Sequence, residues 1–450
     1  MTTSRTRSRL VRTAVAAVTA AGLGFSMAAC AAGADAADFS EFTPEAVAAA
    51  LEEGGEISMW AWDPAIPAAV ELFEELHPNV TVNLQNVGAG GDQYTALQNA
   101  IAAGTGLPDL AQIEYFILSQ FTVTGHIADL TPFGAGDLDG TFTEGPWGAV
   151  TAGDGIFGLP LDGGAMALFY NATVLERYGL EVPTTWDEYM QLGRDLRAAN
   201  PNIYIGSNGN TPNFVHALMR QAQGNPWTAD GHDVSIDIVN DQGAQRFAEV
   251  WQPMIDDNLV STIQWWTDEW HQALGNGTIA TLVSGAWMPG NLISAAPQGS
   301  GHWRVAPMPQ FEAGRMDTAE TGGSSMTMTT SAQNPALAYA FMEFLAAGDG
   351  IEARLSQGGF PATVAELADE DFLNREIEYF GGQQINRVLA DSANHVVPGW
   401  SWLPFMAYVN ESFPETIGQA FIGNGTILEN MAPWQERLLS FAETQGFTVN

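Results

Sequence analysis

Several short segments set tryptophan beside carboxylates. They are Trp60-Ala61-Trp62-Asp63, Trp265-Trp266-Thr267-Asp268-Glu269-Trp270, Trp287 with Met288, and Pro398-Gly399-Trp400-Ser401-Trp402. Two further acids stand at turn-like positions, Glu114 before Tyr115-Phe116 and Asp162 before Gly163-Gly164. An indole offers a flat apolar face, and a carboxylate accepts hydrogen bonds. Together they suit a ligand with C–H faces and a rim of hydroxyls, that is, a sugar ring. Trp62, Asp63, Glu114, Tyr115, Asp162, Trp266, Glu269, Trp287, Trp400 and Trp402 are the candidate contacts, joined by Glu320 and Gly322 ahead of Gly323-Ser324. Each of the 14 tryptophans has core packing as its alternative role. Adjacent helical residues point apart, so only one or two of Trp265, Trp266 and Trp270 are expected to reach a common cleft.

Other chemistry lacks its marks. The seven histidines show no paired spacing suited to zinc. Neither a Gly-x-Ser-x-Gly elbow nor a phosphate-binding loop occurs. Asp137-Leu138-Asp139-Gly140 lacks the further ligands of a calcium loop and reads as a turn. No metal and no cofactor is expected. All 15 basic residues are arginine against 52 acids, a net charge of −37. That balance excludes nucleic acid, whose phosphates need clustered cations, and favours a neutral ligand.

The elements that must carry these residues alternate. Glu56–Trp62 is a short apolar run ending in Asp63-Pro64, and Ile66, Ala69, Val70, Phe73 and Leu76 follow at helical spacing. Val80, Val82 and Leu84 alternate as in a strand; Tyr94, Leu97 and Ile101 return to the helical period; Leu110–Ile113 follows a Gly and Pro turn. Strand and helix in alternation imply parallel pairing, the α/β class, with ligands at the carboxyl ends of strands. Further on, Thr184-Thr185-Trp186-Asp187-Glu188 reads as a capped helix start, Gly277–Val283 as a buried strand and Pro335–Ala347 as a helix.

The amino-terminal segment carries a different signal. Arg5, Arg7, Arg9 and Arg12, an apolar run from Ala14 to Phe25, and Met27-Ala28-Ala29-Cys30 resemble a lipoprotein signal peptide over residues 1–29, with Cys30 as the lipidated residue. Residues 30–38 then read as a tether, on the extracellular face of the membrane of a Gram-positive, GC-rich bacterium. Cys30 is the only cysteine, so stability is expected to come from core burial rather than from a disulfide.

The order of motifs resembles the extracellular solute-binding proteins of carbohydrate ABC importers, the maltose-binding-protein-like group. The matching pieces are Gly106-Leu107-Pro108-Asp109, Asp129-Leu130-Thr131-Pro132, Gly158-Leu159-Pro160-Leu161-Asp162, Phe169-Tyr170-Asn171, Pro183–Tyr189, Trp303–Pro309 and Gly322-Gly323-Ser324. The resemblance covers roughly residues 55 to 445. It implies a two-lobed periplasmic-binding-protein-like (type II) clamp crossed three times by the chain. The first lobe would take 39–162 and 327–375, the second 163–326 and 376–450. Lobe closure would trap a neutral di- to tetrasaccharide, with β-linked glucosides or other plant-derived chains favoured, for delivery to the permease subunits by a monomeric, non-enzymatic carrier. A secreted glycoside hydrolase and an adhesive carbohydrate-binding surface protein are the alternatives, because paired acids can also cleave a glycosidic bond.

Overall fold

The computed structural model describes residues 43–450. The signal peptide at 1–29, Cys30, the tether at 30–38 and the first few residues of the expected first lobe lie outside the described residues.

Two sheets organise the chain. In the first, strands run in the order Val80–Gln85, Gly55–Trp60, Leu110–Glu114, Ser324–Met328, Leu159–Pro160. The first three are parallel, as the alternation of strands and helices predicts, and Ser324–Met328 runs antiparallel to both of its neighbours. Helices Ile66–Leu76 and Gly91–Ala103 make the crossovers. Ile57, Met59, Phe73, Leu110, Met326, Leu337 and Phe341 form a core around this sheet. The helix Pro335–Ala347 supplies the last two, with Asn334 accepting the Leu337 N–H at its start.

In the second sheet Met166–Asn171 is the central strand, antiparallel to Thr281–Gly285 on one side and Trp303–Ala306 on the other. The pair Gly206–Ser207 and Val260–Ser261 continues it through the Ala280 N–H to Tyr204 C=O and Thr281 N–H to Ile205 C=O bonds. The expected helix at Trp186 forms over Trp186–Ala199 with a capping box between Thr185 and Glu188. Its inward face, Trp186, Tyr189, Leu192 and Leu196, is buried as the spacing requires.

The connection between the sheets departs from the expected boundary. Ser324 and the residues to Met328 all pair with Leu110–Glu114, so this strand lies whole in the first sheet and the second crossing falls before Ser324, not after 326. The register sets Ser324 opposite Glu114, so the ladder runs without a break from Met328 to the end of that strand. The first and second connecting segments run side by side. Leu161 N–H donates to Ser324 C=O, Thr321 N–H to Gly164 C=O and Met166 N–H to Ala319 C=O, each at 2.9 Å. Gly164 must be glycine, because a Cβ there would lie 2.7 Å from the Thr321 carbonyl oxygen. Among the described residues no helix is long and apolar enough to cross a membrane.

Candidate functional site

The carboxyl ends of the parallel strands carry the acids. Glu114 ends Leu110–Glu114, Asp63 lies just beyond Gly55–Trp60, and Asp162 follows Leu159–Pro160. Since Ser324–Met328 runs the opposite way, its first residue, Ser324, sits at this same edge.

A buried network fixes the group. Gln112 accepts the backbone N–H groups of Trp62 (3.0 Å) and Asp63 (3.1 Å) on Oε1 and donates from Nε2 to Ser324 Oγ at 2.8 Å. Ser324 donates its N–H (2.6 Å) and hydroxyl (3.1 Å) to Asp162 Oδ1. Gln93 holds the Gln112 carbonyl at 2.7 Å. Tyr94 OH donates to Glu114 Oε2 at 2.8 Å, and Tyr115 OH donates to the Asp162 carbonyl at 2.8 Å. On the other side of Asp63, the buried Arg354 guanidinium lies 3.8 Å from Oδ2 and donates to Leu161 C=O at 2.7 Å. Gln93, Gln112, Ser324 and Arg354 escape a reading of the sequence as candidates. Gln112 carries no turn or aromatic neighbour that would mark it; Ser324, in the Gly322-Gly323-Ser324 motif, was the one with a signal.

Burial raises the carboxyls. Asp162 is pushed up to about 7 by burial and by the neighbouring Asp63 charge, against the pull of the Ser324 N–H and Arg354. Glu114 also reaches about 7, through burial and the Asp162 charge, with the Tyr94 hydroxyl opposing. Such groups can donate as well as accept hydrogen bonds at neutral pH.

The second sheet contributes Trp287, which follows Thr281–Gly285. Its Nε1 donates to the Thr321 carbonyl at 2.8 Å. A Cβ added at Gly322 would stand 3.1 Å from Trp287 Nε1 and 3.5 Å from Glu114 Oε1, so indole and carboxylate meet across this glycine. Trp266 rests on Trp287, with ring centroids 5.7 Å apart. Trp62 meets Tyr94 edge to face at 6.1 Å.

The structure thus gathers Trp62, Asp63, Glu114, Tyr115, Asp162, Gly322, Trp287 and Trp266. The other candidates stand differently. Trp400 packs with Trp227, Trp402 and His216 in an aromatic box, and Trp402 also leans on Phe116. Glu320 is held by Arg220 at 2.9 Å, with both side chains largely buried. Glu269 is exposed in the first turn of the helix Asp268–Asn276, after its N-cap Thr267. Trp270 is fully buried and donates to Ser207 Oγ, a core role. Asp137-Leu138 lies in a short 3-10 turn, and among the described residues no group of acids, histidines or cysteines could hold a metal. Two surface grooves, one lined by Leu72, Asp349, Glu352 and Phe372, the other by Asn171, Asn200 and His302, include none of the gathered residues.

Comparison with known proteins gives this geometry a context. Residues 59–350 match the family of bacterial extracellular solute-binding proteins. A solved ABC-transporter-associated binding protein from B. animalis subsp. lactis, in complex with β-1,6-galactobiose, is 36% identical; the match covers 88% of this chain and 99% of that one, with a TM-score of 0.84. The galacto-N-biose/lacto-N-biose I-binding protein of Bifidobacterium longum, 24% identical over 88% of this chain and 99% of its own, shares the fold with a TM-score of 0.74. The lactose-binding protein of Rhizobium radiobacter is 24% identical over 380 residues, 79% of this chain and 88% of that protein. The fold is that of the type II periplasmic binding proteins, shared with maltose-bound MalE3 of T. maritima at a TM-score of 0.70. With its two sheets joined by paired connecting segments and a family match over more than half its length, the chain belongs to the bacterial extracellular solute-binding proteins.

Proposed function

We propose that the protein is the extracellular, lipid-anchored binding component of an ABC importer and that it takes a short neutral oligosaccharide with a β-galactosyl unit. The observation that carries this reading is the 36% identity, over nearly all of its partner's length, to a solved protein holding β-1,6-galactobiose. Lactose, named for a further relative, is also a β-galactoside. The relatives therefore favour β-galactosides over the β-glucosides that flat indoles alone suggest. Glu114, Asp162 and Asp63 supply acceptors for sugar hydroxyls, and Trp287 and Trp62 supply apolar faces. Because Trp287 stands on the second sheet and the acids on the first, hinge closure along the paired connecting segments traps the sugar between them. Glu320 is spent on Arg220, and Trp400 and Trp402 are engaged in aromatic packing, Trp402 also against Phe116 of the first lobe.

The protein is a carrier and not a hydrolase. The family it belongs to and the solved proteins it resembles are binding proteins, and Glu114 and Asp162 are each engaged within the fold, by Tyr94 and by Ser324. A panel of neutral and anionic glycans read by thermal shift tests the assignment, with scattering and product analysis on the same samples. Stabilisation by β-galactosides, compaction and intact sugar are expected; a response to uronic or sialic acids alone, or turnover, overturns it.

Replacing Trp287 by Ala is expected to weaken binding roughly 5- to 150-fold, the loss of an aromatic face worth about 1–3 kcal/mol. Apo stability should fall much less, since this indole is only partly buried. Calorimetry and melting on the same variant separate the two. At the other end of the chain, Cys30→Ser should release the protein into the medium with its sugar affinity unchanged, because the tether precedes every residue of the proposed site. Fractionation and calorimetry check it; a variant that stays on the membrane excludes this anchor.

A further inference from the structure

Among the described residues three non-glycines have positive φ: Gln223 at 66°, Asn258 at 52° and Trp266 at 66°. The first two directly follow the C-caps of the helices Pro212–Gln221 and Gln242–Asp256, where this conformation is a common way to end a helix. Trp266 has no such setting. It stands immediately before Thr267, the N-cap of Asp268–Asn276. A bulky side chain in that region of backbone space is an outlier that costs stability and persists only where the surroundings enforce it.

The surroundings do enforce it. On one side Trp265 stacks on the fully buried Trp270, with planes 17° apart; on the other, Thr267 Oγ1 caps the Trp270 N–H and donates to Gln264 C=O. With its neighbours fixed inward, the Trp266 indole is turned outward and left 50% exposed. It lies against Trp287 at 5.7 Å and 31°, and Trp287 in turn adjoins Gly322 and Glu114. Trp266, which also touches Trp270 at 5.4 Å, therefore prolongs the exposed aromatic surface one ring beyond Trp287, the indole that adjoins Glu114.

We propose that Trp266 is the stacking platform for a second sugar ring, aimed by its backbone conformation, and that it sets the preference for a di- or longer saccharide over a monosaccharide. The inference rests on the reading of the cleft as an oligosaccharide site and assigns a specificity role within it.

The test uses galactose and β-1,6-galactobiose, or the mono- and disaccharide of whichever neutral series the glycan panel selects. Trp266→Ala is expected to lower disaccharide affinity about tenfold and monosaccharide affinity less than about twofold, while Trp266→Phe keeps most of the disaccharide affinity. Backbone strain has its own readout. Trp266→Ala retains a Cβ at positive φ and Trp266→Gly does not, so the ligand-free Gly variant should melt above the Ala variant, the reverse of the usual order. Unchanged disaccharide binding in Trp266→Ala, or equal losses for both sugars, overturns the inference while leaving the sugar reading intact. An Ala variant that melts at or above the Gly variant removes the aiming role. A wild-type protein that binds no glycan of the panel sinks both the reading and the inference.

Discussion

Raising the pH of the ligand-free protein from about 4 to about 7 should destabilise it through Asp162, by on the order of 2–4 kcal/mol. The sign follows from the direction of the shift. The Asp162 carboxyl sits at about 7 in the folded protein against 3.8 for the free side chain, so between those values the folded state holds a proton that the unfolded state has lost. Stability then falls as pH rises through that window and is level above it. Glu114, also near 7, adds a smaller contribution in the same direction because part of its side chain meets water. His216 works the other way. Burial among Trp227, Trp400 and Trp434, with neither ring nitrogen hydrogen-bonded, lowers it to about 3. Its contribution is complete above about 6.5 and is lost as pH falls towards 3. Chemical denaturation across pH 4 to 8 separates the two. Asp162→Asn should remove the alkaline loss and move the stability optimum above pH 6.5, whereas His216→Phe should flatten the acid side. An Asp162→Asn profile that superposes on the wild type would mean that this carboxyl ionises freely in the fold.

Arg354→Met is expected to cost about 3 kcal/mol of stability and to weaken sugar binding as well. The guanidinium is 1% exposed and donates to the carbonyls of Leu161 and Leu345, so its removal leaves two buried acceptors short of donors. It also takes away the cation nearest Asp63, and with it a charge that eases the ionisation of Asp162. Leu161 belongs to the first connecting segment, so the same side chain ties the acids to the chain's passage between the sheets. Denaturation and calorimetry on Arg354→Met and on Arg354→Lys measure both effects. Lysine keeps the charge but cannot span both carbonyls, and it should recover only part of either. Wild-type stability in the Met variant would show that the carbonyls find other partners.

Much of this protein is legible in its sequence. The parallel trio Gly55–Trp60, Val80–Gln85 and Leu110–Glu114 follows from period-2 and period-3.6 patterning with Gly and Pro breaks between, all short-range properties. The helix beginning at Trp186 is written locally too, because Thr185 and Glu188 are three residues apart and satisfy each other's backbone groups. The acids at strand ends could be named for the same reason: a strand's end is visible from where its apolar run stops.

Tertiary structure decided what those residues meet. Gln112 and Ser324 are separated by 212 positions and Asp162 and Ser324 by 162, and no local pattern links them; only the antiparallel insertion of Ser324–Met328 beside Leu110–Glu114 brings them together. The tryptophans divide in the same way. Composition shows 14 indoles but not their depth, and burial of Trp186, Trp227, Trp251, Trp270, Trp303 and Trp434 assigns those six to the core. Trp265, Trp266 and Trp270 share one segment, yet Trp266 alone is turned out, by a backbone angle that residue type disfavours and the packing of its neighbours imposes. Local order is encoded in local sequence, whereas a cleft is made by long-range pairing, and so its chemistry is fixed only when the chain has closed on itself.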